Sequence, residues 1–189
     1  MAFEFRIQLQ KTSKPPVWRK LKVPENFTFD RFHIAIQNTF GWLNSHLYEF
    51  SEKGDGSSFQ IEIPHVDSEV EAVDSRKIKL KDIFEHEKQT FIYLYDFGDE
   101  WTHKITLEKI TSEKIKAPSC ISGKGKRPPE DCGGIWGYQY FLEILSNPKH
   151  PEYKEMREWA GLEDGEEWDV NEFDLEIANK MIKRDWVGF

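Results

Sequence analysis

The run Tyr95-Asp96-Phe97-Gly98-Asp99-Glu100-Trp101-Thr102-His103 gathers carboxylates, an indole and an imidazole around one glycine. A carboxylate beside a histidine orients the ring, so that it serves as a general base or as a metal ligand. Asp96, Asp99 and His103 are therefore the candidate catalytic residues. Further along, Pro128-Pro129-Glu130-Asp131-Cys132-Gly133-Gly134 adds two more carboxylates and a thiol. Its prolines stiffen the entry, and its glycines permit tight turns or close approach to another surface.

A two-residue turn at Gly98-Asp99 suits a glycine in its first central position. That turn predicts a register in which Asp96 faces Trp101, Leu94 faces His103 and Ile92 faces Ile105. Asp96 and His103 then become diagonal neighbours on one face, within reach of a side-chain hydrogen bond. Such a carboxylate favours the protonated imidazole or fixes one tautomer. The structural alternative is that Asp96 and His103 satisfy each other in the core while Asp99 serves the turn. The Asp96-Phe97-Gly98 triplet is no kinase signature, because no glycine-rich nucleotide loop accompanies it.

A metal needs three or four converging ligands. His33, His46, His103, Cys120 and Cys132 are the metal-ligand candidates, with Glu130, Asp131 and the hairpin carboxylates as oxygen donors. Cys120 and Cys132 lie too far apart for a short zinc knuckle, so a divalent metal is the only cofactor expectation and no local motif specifies it. No Gly-x-Ser-x-Gly elbow is present, and a cysteine nucleophile requires a histidine that only the fold can supply.

The elements that must position these residues are legible in part. Residues 3–10 alternate apolar and polar and predict a half-buried strand, followed by a second at 17–23 with Val17, Leu21 and Val23 inward. Thr28 or Asp30 caps a helix over 29–40 whose Phe29, Phe32, Ile36 and Phe40 share a stripe, and Gly41 stops it. Strands follow at 46–51 and 59–63, the latter after a polar loop at 53–58. Residues 66–79 read as a charged excursion and Leu80 to Phe84 as a helical turn. Residues 90–96 and 101–108 form a hairpin, and 109–137 a long ordered loop. Helices are predicted over 137–146, from Pro151 to before Gly161, and over 171–184 with Phe173, Ile177, Ala178 and Met181 on one face.

The fold class is thus α+β. It is a single compact domain over 1–189, with a mixed, mostly antiparallel sheet and C-terminal helices packed against it. The N-terminal part has the element order of a β-grasp sheet. The sheet-rich part spans about 1–110, and the long loop and helices about 111–189.

Nucleic-acid binding leaves a basic footprint, and here the net charge is −8, which weighs against general nucleic-acid binding. Lys124, Lys126 and Arg127 form the one compact basic cluster, read as a solvated loop. Residues 1–25 hold no apolar run of signal-peptide length, and no segment reaches the ~18 residues of a membrane span. With two cysteines there is no secreted disulfide framework. The expectation is a cytoplasmic protein with reduced thiols and no membrane contact.

Four segments together resemble the plasmid pRiA4b ORF-3-like family: Pro15-Pro16-Val17-Trp18-Arg19-Lys20-Leu21, Gln37 to Trp42 with His46-Leu47-Tyr48, the 95–103 run, and Pro128 to Gly134 with Gly137-Tyr138. The resemblance covers nearly the whole chain in order. It implies one compact α+β domain and no established activity. Some similar proteins carry resolvase labels, but no serine or tyrosine recombinase site is recognisable here. Many relatives place a cysteine directly before Pro-Pro-Glu-Asp, where this chain has Arg127, which removes one thiolate from any cysteine-based zinc site.

The resulting expectation is a non-catalytic binding or interaction domain. Its cleft lies between the 95–103 hairpin and the 128–138 loop, with Trp101, His103, Glu130, Asp131 and Tyr138 as binding residues. The carboxylates would select an unidentified protein or a small polar or cationic ligand. The competing expectation is a metal-dependent hydrolase or nuclease built on Asp96, Asp99 and His103.

Overall fold

The alternation in β1 (Ala2–Leu9) places Phe3, Phe5, Ile7 and Leu9 in the core. On the opposite face Glu4 pairs with Lys20 and Lys22, and Arg6 lies 3.9 Å from the Trp18 ring centroid. Lys20, Lys22 and Trp18 all belong to β2 (Trp18–Pro24), the antiparallel partner of β1. The structure is a computed structural model, and it describes residues 1–54, 57–65 and 72–186. Part of the predicted 53–58 loop and residues 66–71 of the predicted excursion lie outside those residues.

Helix α1 (Phe29–Phe40) follows the expected pattern: the Thr28 side chain accepts from the Arg31 amide, and Gly41 ends the helix at φ 82°. Its aromatic stripe packs on the sheet, with Phe32 4.8 Å from Phe5 and Phe29 5.1 Å from Phe50 between ring centroids. Strands β3 (Tyr48–Ser51), β4 (Gln60–Glu62), β5 (Val73–Asp74), β6 (Thr90–Tyr95), β7 (Trp101–Thr111) and β8 (Ser119–Lys124) complete the sheet. Its order is β5-β4-β3-β6-β7-β1-β2-β8, and every pair is antiparallel except β4–β5. Residues Leu80–Asp82 form the expected short turn, of 3₁₀ type.

Two expectations need correction here. The segment 109–137 is not one long loop: β7 runs on to Thr111, β8 pairs with β2 at the sheet edge, and α2 (Gly134–Ser146) starts earlier than expected. Lys124 therefore lies in a strand rather than in a solvated loop. The last helix, α4 (Leu175–Lys183), starts after Phe173 and turns Ala178 and Ile182 inward, while Ile177 is 59% exposed. The side chain of Asn179 explains that orientation. Its amide exchanges hydrogen bonds of 3.0 and 2.9 Å with the Cys120 backbone, so α4 covers the β8 edge. Helix α3 (Tyr153–Trp159) packs beside α2, where Phe141 meets Trp159 at 5.9 Å.

The β6–β7 hairpin carries the largest correction. Tyr95 pairs with Trp101, Tyr93 with His103 and Phe91 with Ile105, one residue away from the expected register. The connection is a five-residue loop, 96–100, closed by a 2.7 Å bond from the Glu100 amide to the Asp96 carbonyl. Directly opposed residues share a face, so this register sends Phe91, Tyr93, Tyr95, Trp101, His103, Ile105 and Leu107 together into the core. The expected register would instead have buried Ile92 and Leu94 opposite the β7 core residues. The aromatic set fills the space under α1 and takes precedence.

Candidate functional site

Pairing of Tyr48 with Tyr95 places the end of the α1–β3 loop beside the first residue of the hairpin loop. His46 and Asp96 thereby become neighbours, with the Asp96 amide donating to the Leu47 carbonyl at 2.9 Å. A third segment, 128–133, is pinned on both sides. The Trp42 indole donates to the Pro128 carbonyl at 3.3 Å, the Leu43 amide donates to Glu130 Oε1 at 2.7 Å, and the Gly133 amide donates to Asp99 Oδ2 at 3.2 Å.

The three segments converge on one imidazole nitrogen. His46 Nε2 lies 3.1 Å from Asp131 Oδ1, 3.6 Å from Asp96 Oδ2 and 3.9 Å from Glu130 Oε2. None of these contacts has hydrogen-bond alignment, and Nε2 is shielded from solvent. One ligand atom each from His46, Asp96 and Asp131 lies within 4.8 Å of the others. Asp96 is buried and its Oδ1 accepts from the Gly98 amide at 2.9 Å, which leaves Oδ2 facing the histidine. Glu130 also receives the Tyr95 hydroxyl at 3.4 Å.

Backbone strain gathers in the same three segments. Of the six described non-glycine residues at positive φ, Asn44, Asp96, Glu100 and Asp131 belong to them. Left-handed backbone costs about 1–2 kcal/mol for most residues, less for Asn and Asp, which hold three of these four positions. Such strain concentrates where a side chain must be aimed.

The other predicted site residues are placed elsewhere. His103 is 0% exposed and Asp96 does not reach it. Its Nδ1 meets the Tyr93 carbonyl at 3.3 Å, and its ring packs edge-on to Phe40 and Trp42. Burial pulls its pKa down to about 3, so the ring is neutral, and neither the protonated form nor the fixed tautomer expected from an Asp96 contact arises from that carboxylate. Trp101 and Tyr138 are buried as well and line no open cleft with Glu130. Asp99 serves the loop contact with Gly133.

Among the metal candidates, His33 is engaged in the core: Nδ1 meets the Tyr93 hydroxyl at 2.8 Å and Nε2 meets Asn44 Oδ1 at 2.5 Å. Burial lowers its pKa to about 3. Cys120 lies on β8 under α4, and burial raises its thiol to about 11. Burial, with Asp99 and Asp131 nearby, raises the Cys132 thiol to about 12. Neither thiol is a thiolate at neutral pH. Of the predicted ligands, the structure brings together His46, Asp96, Asp131 and, at longer range, Glu130. Their grouping depends on the β3–β6 register, for which the sequence has no local signal.

Residues 1–177 match the family of plasmid pRiA4b ORF-3-like proteins. The chain belongs to this family. The pRiA4b ORF-3-like chain is 34% identical over 175 residues to the uncharacterized protein y4hQ of Sinorhizobium fredii (strain NBRC 101917 / NGR234), which spans 92% of this chain and 88% of that one. Its fold is similar to the crystal structure of MM3350, a protein of unknown function from Methanosarcina mazei Go1. That likeness has a TM-score of 0.77 and 35% identity, covering 93% of this chain and 96% of the other. These relatives support the family and the mixed α+β fold, and they name no activity. Among the described residues no helix is long and apolar enough to cross a membrane.

Proposed function

We propose that this protein is a binding domain whose ligand is a divalent cation, held by His46, Asp96 and Asp131 with Glu130 behind them. The observation that carries the reading is the solvent-shielded, unbonded His46 Nε2 facing carboxylate oxygens from two other segments. An imidazole nitrogen and carboxylates within this spacing are a donor set for zinc or manganese, with positions left open for water or a partner's side chain. The cation would tie the α1–β3 loop, the hairpin loop and the 128–133 loop together, which suits a structural or recruiting role. The hydrolase reading draws no support from the residues assigned to it, because His103 is in the core and Asp99 serves the loop contact.

Purified protein stripped with chelator and titrated with Zn²⁺ or Mn²⁺ tests this reading. At a metal concentration about 100 times Kd, binding adds about 2.7 kcal/mol and raises Tm by roughly 5–10 °C for a chain of this size. Asp131→Asn alters an exposed side chain and should remove most of the rise without unfolding the apo protein. No calorimetric heat and no change in Tm with either ion would refute the proposal.

A further inference from the structure

Beside the cation site, whose Glu130 and Asp131 form part of its wall, lies a cavity of about 700 Å³. It opens between the end of α1, the 126–131 segment and α4, and Arg19 and Arg127 both reach it. Arg19 is 4% exposed. Its Nε donates to the Thr39 carbonyl at 3.3 Å, and Nη1 donates to those of Trp18 and Lys124 at 2.9 and 3.0 Å. Its guanidinium lies between the rings of Phe40 and Phe173, at 4.9 and 4.5 Å from their centroids. Arg127 is half-buried and donates through Nη1 to the Pro128 carbonyl at 2.9 Å.

Neither guanidinium forms an ion pair among the described residues. Among the described residues, Arg19 Nη2 and Arg127 Nη2 have no protein acceptor. A covered guanidinium without a counter-charge is costly, and the N–H groups that the backbone carbonyls leave over are free to take an anionic acceptor from outside. The carboxylates around the cavity are already committed. Glu172 pairs with Lys126, Asp174 caps α4 through the Ile177 amide, Glu130 takes the Leu43 amide, and Asp131 faces His46. Glu130 is the acid that acts on Arg127, from beyond ion-pair contact. Burial lowers both arginines, Arg19 to about 10, and both remain cationic at neutral pH.

The cavity also has an apolar wall, supplied by Phe40, Trp159, Trp168, Phe173 and Met181. A volume of this order is that of a small-molecule site, in which a few polar groups orient a mainly apolar ligand. We propose that this cavity binds a small organic anion, its oxyanion head held by Arg19 and Arg127 and its planar apolar body lying against Trp168 and Phe173. Guanidinium forks match both carboxylate and phosphate, so the head group is an oxyanion of either kind.

Phenyl phosphate and benzoate, each titrated at constant ionic strength with phenol as the uncharged control, distinguish the two heads. Binding is read by calorimetry and by tryptophan emission, to which Trp159 and Trp168 at the cavity contribute. The expected result is saturable one-site binding of at least one of the two anions, competed by inorganic phosphate and absent with phenol. Arg127→Gln should weaken it about tenfold or more, the loss of one charge-assisted partner. Ile177→Glu, at an exposed position on the rim, places a negative charge there and should weaken it too, with Tm unchanged. Failure of both anions to bind the wild-type protein, equal binding of phenol, or full affinity in both variants overturns the proposal. Binding by protein stripped of metal keeps this outcome separate from that of the cation site.

Discussion

Trp101 is the residue whose chemistry reads most differently once its surroundings are known. A tryptophan beside two carboxylates resembles a recognition anchor, yet its indole is 1% exposed and stacks on Trp42 with centroids 6.2 Å apart. Its Nε1 is buried without a partner, so the ring is kept for its area rather than for its donor. Trp101→Ala should therefore cost about 3–5 kcal/mol, the range for emptying a large aromatic site. That is a large share of the roughly 5–15 kcal/mol available to a domain. Trp101→Phe removes the unsatisfied donor and keeps most of the contact, so it should cost much less. Urea unfolding of the two variants provides the check. An Ala variant as stable as wild type would show that Trp101 is not part of the core.

At the scale of elements, the docking of the 128–133 segment on the hairpin loop decides whether Asp131 can meet His46. Gly134 is the contact that permits it. It adopts φ +64°, and a Cβ there would overlap the Asp99 carbonyl oxygen, a backbone atom that cannot swing aside. Gly161 has nearly the same φ, +67°, with nothing near its Cβ position. Gly161→Ala should therefore show only the conformational cost of left-handed backbone, about 1–2 kcal/mol. Gly134→Ala should cost more and weaken cation binding as well, because it lifts the segment from Asp99. Equal effects of the two substitutions on Tm and metal affinity would mean that the docking contact contributes nothing.

The same elements show where sequence patterning suffices. β1 and α1 are legible because their apolar residues fit one period only, and Thr28 and Gly41 mark the helix ends. The β6–β7 register is not, since Phe91, Tyr93 and Tyr95 alternate with the apolar Ile92 and Leu94, so alternation cannot choose the buried face. β8 is a half-exposed edge strand containing Ser122 and Gly123, and its strand form comes from pairing with β2. The candidate site has the same origin. His46, Asp96 and Asp131 are visible singly, but a β3–β6 pairing and two pinned loops bring them together. Arg127 is visible in the sequence as part of a basic cluster, but only the folded contacts reveal that it and Arg19 form no ion pair among the described residues.

For the whole molecule, His33 and His103 set a dependence of stability on pH that the surface charge does not. Both are buried in the neutral form, with pKa values lowered from 6.5 to about 3. In the folded chain His33 takes the Tyr93 hydroxyl on Nδ1 and gives its Nε2 proton to Asn44, while Gln37 donates to the same hydroxyl, an arrangement that uses the single proton of a neutral ring. The unfolded chain binds protons on both rings as pH falls below 6.5, and the folded chain does not until near pH 3. Unfolding therefore takes up protons across that window. Stability is complete above about pH 6.5 and declines as pH falls toward 3, by up to about 1.4 kcal/mol per pH unit for each histidine. Urea unfolding between pH 6 and 4.5 isolates this from most carboxylate titration. His103→Phe keeps a ring between Phe40, Trp42 and Tyr93 and removes one titrating group. Its free energy of unfolding should vary with pH less steeply than that of wild type, by close to one proton, whatever its absolute stability. The slope is independent of any packing cost of the new ring, so an unchanged slope would mean that His103 does not enter the core uncharged.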